Sequence, residues 1–208
     1  MSDDLLRARR SVRRFRAEVP PAALVEELVA AAVTAPSAGN QQPWRFLAVR
    51  GRPRLDALGA AVTRAVDEVA PHVAPSWRAE FRTYAAYFSR FAAAPLVLVV
   101  LYRPSRLLSN LVDDALPASL RARVTTMEET SGLVSAACAI ENLLLAATAR
   151  GLGSCVMTGP LLAGETLRAL LPLPASLRVA SFVALGYPDE EPAAPARRDV
   201  AKVLRWID

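Results

Sequence analysis

Apolar and polar positions change their period several times along the chain, and each change marks an element. Leu24, Val25, Leu28, Val29 and Ala32 recur at three- and four-residue spacings, the pattern of an amphipathic helix. Pro20 and Pro21 suit its first turn, and Pro36 closes it. A short strand is predicted over residues 46–49, a turn at Gly51, Arg52 and Pro53, and helices over residues 54–70 and 76–93. The second of these carries Trp77, Phe81, Tyr84, Tyr87, Phe88 and Phe91, a set that suits core or subunit packing. Residues 95–102 are apolar without alternation, as in a strand covered on both faces. The longest predicted helix covers residues 127–150, with Leu133, Ala136, Ala137, Ile140, Leu144 and Ala147 on its packed face. Glu141 and Asn142 interrupt it and suit a polar contact with a neighbour. Gly151 ends it. Strands over residues 154–157 and 177–186 then enclose a turn at Thr158, Gly159 and Pro160 and a helix over 161–171.

The ends and one internal stretch carry weaker periodicity. A short helix is expected over residues 3–10, capped by Ser2 or Asp3. Residues 187–198 are proline-rich and extended, and residues 199–208 form a closing strand or helix. Residues 103–126 show no period and read as a loop with helical turns, a length that often serves as a lid or binding loop.

Composition narrows the class. A chain of 208 residues, 53% of them apolar, can bury roughly 70% of the surface it exposes when unfolded, as one domain over residues 1–208. Cys138 and Cys155 are the only cysteines and His72 the only histidine, too few for Cys/His zinc sets, so no metal site is expected. Two thiols in apolar contexts read as reduced core residues of a cytoplasmic protein. The acidic N-terminus lacks the basic start and apolar core of a signal peptide, and no uninterrupted apolar run reaches the ~18 residues of a membrane span. All but one of the 25 basic residues are arginine, the exception being Lys202. The net charge of +5 favours anionic ligands. Acidic residues are interspersed, however, and neither nucleic acid nor membrane is an expected partner.

Three stretches carry candidate chemistry. Arg9, Arg10, Ser11, Val12, Arg13 and Arg14 form the densest basic cluster, either a solvated helix end or a phosphate receptor built from guanidinium forks and a hydroxyl. Pro36, Ser37, Ala38, Gly39, Asn40, Gln41, Gln42, Pro43 and Trp44 cannot continue a helix. They form a turn-rich surface loop or a hydrogen-bonding wall, beside an aromatic, for a planar heteroaromatic ring. Met157, Thr158 and Gly159 make a tight turn after a strand.

Taken in order, with Gly151 to Ser154 and the late Leu185, Gly186, Tyr187, Pro188, Arg197 and Arg198, these motifs resemble the nitroreductase family of FMN-dependent oxidoreductases over most of the chain. The resemblance implies an α+β fold with a central mixed β-sheet of four to five strands flanked by helices, homodimeric, with FMN in clefts at the subunit interface. It implies that Arg9, Ser11 and Arg13, with Arg10, contact the FMN phosphate and ribityl chain, and that Arg197 and Arg198 reach the same phosphate. Pro36, Ser37, Ala38, Asn40 and Gln42 match the segment along the isoalloxazine and ribityl chain. Met157, Thr158 and Gly159 match the turn whose backbone N–H points at flavin N5, with Gly159 permitting close approach. The family often has an acidic residue where Thr158 stands. Arg90 matches a basic residue near flavin N1 and O2, where positive charge stabilises the reduced flavin; as an isolated residue it reads equally as an exposed helix position.

The implied activity is ping-pong hydride transfer from NAD(P)H, via flavin N5, to a small-molecule acceptor such as a nitroaromatic or quinone. No residue is singled out as a catalytic acid or base, because the flavin does the chemistry and the protein positions it. The family also holds dehydrogenases and oxidases acting on specialised metabolites or peptides, dehalogenases, and a member that cleaves its own flavin. A flavin- or partner-binding member without turnover is the reading of another class.

Overall fold

The computed structural model describes residues 3–207. The capping side chains expected of Ser2 and Asp3, and the last residue of the chain, fall outside what is described. Ten regular elements follow one another: α1 (Asp3–Ala8), α2 (Ala22–Ala32), β1 (Trp44–Arg50), α3 (Arg52–Val69), α4 (Arg78–Ala85), β2 (Leu96–Tyr102), α5 (Ala118–Ala149), β3 (Gly153–Met157), α6 (Gly164–Leu170) and β4 (Arg178–Gly186). The strands lie in the order β1-β2-β4-β3, each antiparallel to its neighbours. Among the described residues the parallel component of the sheet is a single bridge, Ser11 to Ser154.

Strand β2 shows why the pattern is continuous. Leu96, Leu98 and Val100 face a core shared with α2 and α5, while Val97, Val99 and Leu101 face a second core shared with α3 and α6. Successive side chains point to opposite faces of a strand, so a sheet covered on both sides needs apolar residues at every position. Phe91 and Phe182 are fully buried in the second core with ring centroids 4.9 Å apart. Each contributes about 1.5–3 kcal/mol by leaving water.

Several expectations shift. Helix α1 stops at Ala8, because the arginine cluster continues as extended chain whose Val12 N–H donates to Ser154 O (3.0 Å). Strand β1 runs from Trp44, and Trp44 is buried in the first core instead of being displayed beside the amides. The helix expected over residues 76–93 shrinks to α4, flanked by 3-10 turns, and of its aromatics only Phe91 is fully buried. The expected closing element at the C-terminus is one 3-10 turn, Val200–Lys202, in an exposed segment.

The largest correction concerns α5, which begins nine residues early, at Ala118, and reduces the unreadable loop to residues 103–117. Its first two turns are exposed, so they bear no apolar period. Its buried positions include Glu128, Gly132, Ser135, Ala136 and Ala139, while Leu133 and Ala137 face outward. By length and composition this helix could span a membrane, yet 56% of its most apolar window is buried inside the fold. Glu141 and Asn142 make the neighbour contacts expected of them, with Arg9 (3.4 Å) and Thr34 (3.2 Å).

Candidate functional site

The arginine cluster is extended, and its alternation sorts the side chains. Val12 turns into the fold against Gly153, where a β-carbon would come within 2.7 Å of it. Ser11 and Arg13 lie on the other side, toward Cys155. Burial pushes the Cys155 thiol above its ordinary range, against the opposing effects of the Arg13 charge, the Ser11 hydroxyl and the Arg9 charge. Arg9 pairs with Glu141 on α5. Arg10 turns away, donating to the Arg7 and Arg9 carbonyls, and borders a different cleft with Thr148, Gly151 and Glu190.

Tyr87 draws the cationic groups together. The Arg90 guanidinium lies 4.3 Å from the centre of its ring and that of Arg13 lies 5.8 Å from it. Each cation gains from the ring face, but two guanidiniums on one ring repel each other. An anion between them would remove that repulsion, so the pair fits the phosphate or the anionic reduced ring of FMN. Residue Phe88 beside Tyr87 carries the group on to Gly159, where a β-carbon would fall 2.4 Å from the Phe88 ring. Glycine at 159 is therefore demanded by Phe88, a packing reason distinct from the expected close approach of a flavin. Met157 is half-buried at the edge of the second core, with Phe88, and Thr158 is exposed. Arg197 and Arg198 are exposed and make no hydrogen bond or ion pair among the described residues.

The other half of the expected site lies apart. Residues 36–42 fold into a tight turn in which Gly39, Asn40 and Gln42 all have positive φ (55°, 52° and 46°). Asn40 tolerates this region; Gln42 does so at a cost of about 1–3 kcal/mol, a strain typical of functional loops. The Ser37 hydroxyl accepts from Gln42 N–H (3.0 Å), so it closes the turn instead of facing outward. Ser135 of α5 holds the segment from below, its hydroxyl accepting from Ala38 N–H (3.3 Å). Asn40, Gln41 and Gln42 remain exposed. Pro36, Ser37 and Ala38 border an apolar groove of about 500 Å³ with Met127, Val134 and Cys138. Ala38 and Gln42 also border a second cleft, of about 250 Å³, with Arg45 and residues 103–107. Neither hollow contains Ser11, Arg13 or Gly159.

Three contributors carried no signal in the sequence. Glu190 accepts from the backbone N–H groups of Arg13 (2.5 Å) and Arg14 (3.0 Å), across 177 and 176 residues of chain. The Arg13 N–H is the main cause of its carboxyl falling below the ordinary range; burial opposes it, and Arg14 N–H and the two arginine charges add to the lowering. Tyr87 was one aromatic among six on its segment, and Ser135 one small residue in an apolar helix. A hydrogen bond or ring contact between distant residues has no local periodicity by which to find it.

Residues 6–187 match the sequence profile of the Nitroreductase family. The chain is 34% identical over 194 residues to 5,6-dimethylbenzimidazole synthase of Rhodospirillum rubrum, covering 93% of this chain and 84% of that one. It is 30% identical over 197 residues to nitrobenzene nitroreductase of Ectopseudomonas oleovorans, covering 90% and 86%. Among solved structures, a BluB-like flavoprotein from Clostridium difficile 630 has the same fold, with a TM-score of 0.85 at 23% identity over 99% of this chain and 98% of that one. Iodotyrosine deiodinase, solved with FMN and 3-iodo-L-tyrosine, superposes with a TM-score of 0.73 at 25% identity, covering 99% and 98%. With both the fold and the sequence motifs in agreement along its length, the chain belongs to the nitroreductase family of FMN-dependent oxidoreductases.

Proposed function

We propose that this protein is an NAD(P)H-dependent oxidoreductase that reduces a small oxidised acceptor, such as a nitroaromatic or quinone, in a ping-pong cycle. FMN, when bound, would supply the redox chemistry, two-electron transfer between a nicotinamide and the acceptor, and the protein's own residues would hold and orient it. The carrying observation is the pair of guanidiniums, Arg13 and Arg90, gathered on Tyr87 beside Ser11 and the Met157 to Gly159 turn. Arg13 and Ser11 bind phosphate, and Arg90 offsets negative charge on the ring system. Glu190 fixes the Arg13 and Arg14 backbone and so aims the Arg13 side chain. Arg9 contributes charge from its place against Glu141, and Arg197 and Arg198 close on the phosphate from the chain's end.

We propose further that the working unit is a homodimer. The segment holding Pro36, Ser37, Ala38, Asn40 and Gln42 borders hollows that lack the phosphate-side residues, so a complete flavin cleft draws the two sets from different copies. Exposed apolar side chains support this. Val134 is 56% exposed beside Met127 and Leu133, and Trp206 and Ile207 are 81% and 91% exposed at the end of the chain. Large apolar side chains exposed to this degree favour association. Two unpaired thiols, Cys138 and Cys155, support a reducing, cytoplasmic setting.

The test is a visible spectrum of the purified protein, followed by anaerobic addition of NADH or NADPH and then of nitrobenzene or a quinone. Bleaching by the nucleotide and recovery with the acceptor are expected. Failure to bind added FMN overturns the enzyme reading; bound flavin that neither nucleotide bleaches overturns the donor.

A second reading is favoured by the 34% identity to the dimethylbenzimidazole synthase. The isoalloxazine contains a dimethylbenzene ring bearing two nitrogens, so FMN itself could be the material consumed. Aerobic incubation of the reduced holoprotein, with chromatography for flavin loss and a benzimidazole product, separates the readings. A constant flavin content excludes the second.

A further inference from the structure

The cleft of about 250 Å³ beside Ala38 and Gln42 is walled by three arginines, Arg45, Arg103 and Arg106, and by no carboxylate. None of the three is in an ion pair among the described residues. Arg45 is held by the carbonyls of Trp44 (2.6 Å) and Gln42 (3.4 Å), while Arg103 and Arg106 make no side-chain hydrogen bond among the described residues. The wall that carries them is firmly built. Arg103 N–H donates to Pro43 O (3.0 Å), tying the start of the loop to the 36–43 turn. Gly132 lets that loop lie directly on α5, since a β-carbon there would come within 2.9 Å of Arg103 O and of the Tyr102 ring. Beneath the loop, Glu128 accepts from Leu108 N–H (2.8 Å), Ser109 N–H (3.1 Å) and the Ser109 hydroxyl. Its oxygens are thereby engaged by loop donors, though its charge still acts on Arg106. Two guanidiniums with free donors, a third nearby and one compensating charge below leave the cleft cationic, with Gln41, Gln42 and Asn110 at its rim.

We propose that this cleft receives an oxyanion, the carboxylate or phosphate of the molecule that exchanges electrons with the flavin, so that the enzyme selects anionic over neutral substrates. The inference rests on the proposed oxidoreductase function, because Ala38 and Gln42 are shared between this cleft and the expected flavin wall. Arginine recognises carboxylate and phosphate through paired donors, and such charge-assisted contacts are about twice as strong as neutral ones. At about 250 Å³ the cleft admits a head group or a small acid, near the lower limit for small-molecule sites.

The test is calorimetric titration of the holoprotein with benzoate and benzamide, which differ in charge but little in shape, and with NADP⁺ and NAD⁺, which differ by one phosphate. Arg103→Gln, Arg106→Gln and, as a control, the exposed Arg64→Gln are measured beside the parent. Benzoate is expected to bind about tenfold tighter than benzamide and to lose that advantage in R103Q and R106Q but not in R64Q. Arginine-dependent discrimination of benzoate assigns the oxyanion to the acceptor; arginine-dependent discrimination of NADP⁺ assigns it to the nucleotide. Equal affinities within both pairs, or discrimination untouched by R103Q and R106Q, overturn the proposal. FMN content and bleaching by NAD(P)H in the same samples report separately on the oxidoreductase reading.

Discussion

Arg13 shows how one side chain can be tested apart from its neighbours. Its guanidinium is exposed above Tyr87 while its backbone N–H is held by Glu190, so Arg13→Ala removes the charge and leaves the loop anchored. FMN affinity should fall about tenfold to a hundredfold, since hydrogen bonds to charged groups contribute about 1.5–3 kcal/mol. Fluorescence titration of flavin checks this, and Arg64→Ala, on the exposed side of α3, should change nothing. At Gly159, an alanine methyl would strike the Phe88 ring, whose nearest atoms lie 2.4 and 2.5 Å from the β-carbon position. Gly159→Ala should destabilise by about 1–3 kcal/mol, the cost of overpacking. Combination with Phe88→Ala should be less damaging than the sum of the single changes, as measured by urea unfolding. Equal, additive losses would show that Phe88 is not what demands the glycine.

Between elements, Glu128 is the joint on which residues 107–110 rest. It is 3% exposed, and burial acts to raise its pKa. The Ser109 hydroxyl, the Ser109 and Leu108 N–H groups and the Arg106 charge outweigh burial and hold the carboxyl below its ordinary range. A carboxyl depressed in the folded state contributes stability above its unfolded pKa, about 4.3, and loses it as pH falls through the folded value. Acid unfolding should therefore steepen below about pH 4.3. Glu128→Gln should lower stability by about 1–3 kcal/mol at neutral pH and flatten that acid limb, read from urea midpoints across the pH range. An acid limb identical to the parent's would remove Glu128 as its source. The reason this joint was illegible is specific. Glu128, in the sequence MEETSG, carries no local mark of burial, and α5 buries Gly132 and Ser135 where the apolar pattern also pointed to Leu133 and Ala137, which face outward.

For the whole molecule, the separation of the two halves of the expected site carries the prediction. Val134→Arg places a charge in the groove bordered by Pro36, Ser37 and Cys138 without touching either buried core. Sedimentation should show a dimer for the parent and a monomer for V134R, with FMN retention falling alongside. A V134R monomer that keeps its flavin would mean that one copy completes the site.

Some features could be read without coordinates because the physics is local. Continuous apolarity in residues 96–102 requires a strand covered on both sides, and prolines at 20, 21 and 36 bracket α2. Other features exist only through closure of the chain. Glu190 reaches Arg13 across 177 residues, Tyr87 gathers Arg13 and Arg90, and Glu128 seats a loop 20 residues away. The segment from Pro36 to Gln42 is the clearest case. Its prolines and amides announce a turn, but only tertiary packing sets Ser37 to closing that turn, buries Trp44 and seats the segment on hollows that do not include Arg13. Periodicity reports how each residue meets its neighbours in sequence, whereas a site is made by residues that meet through the fold.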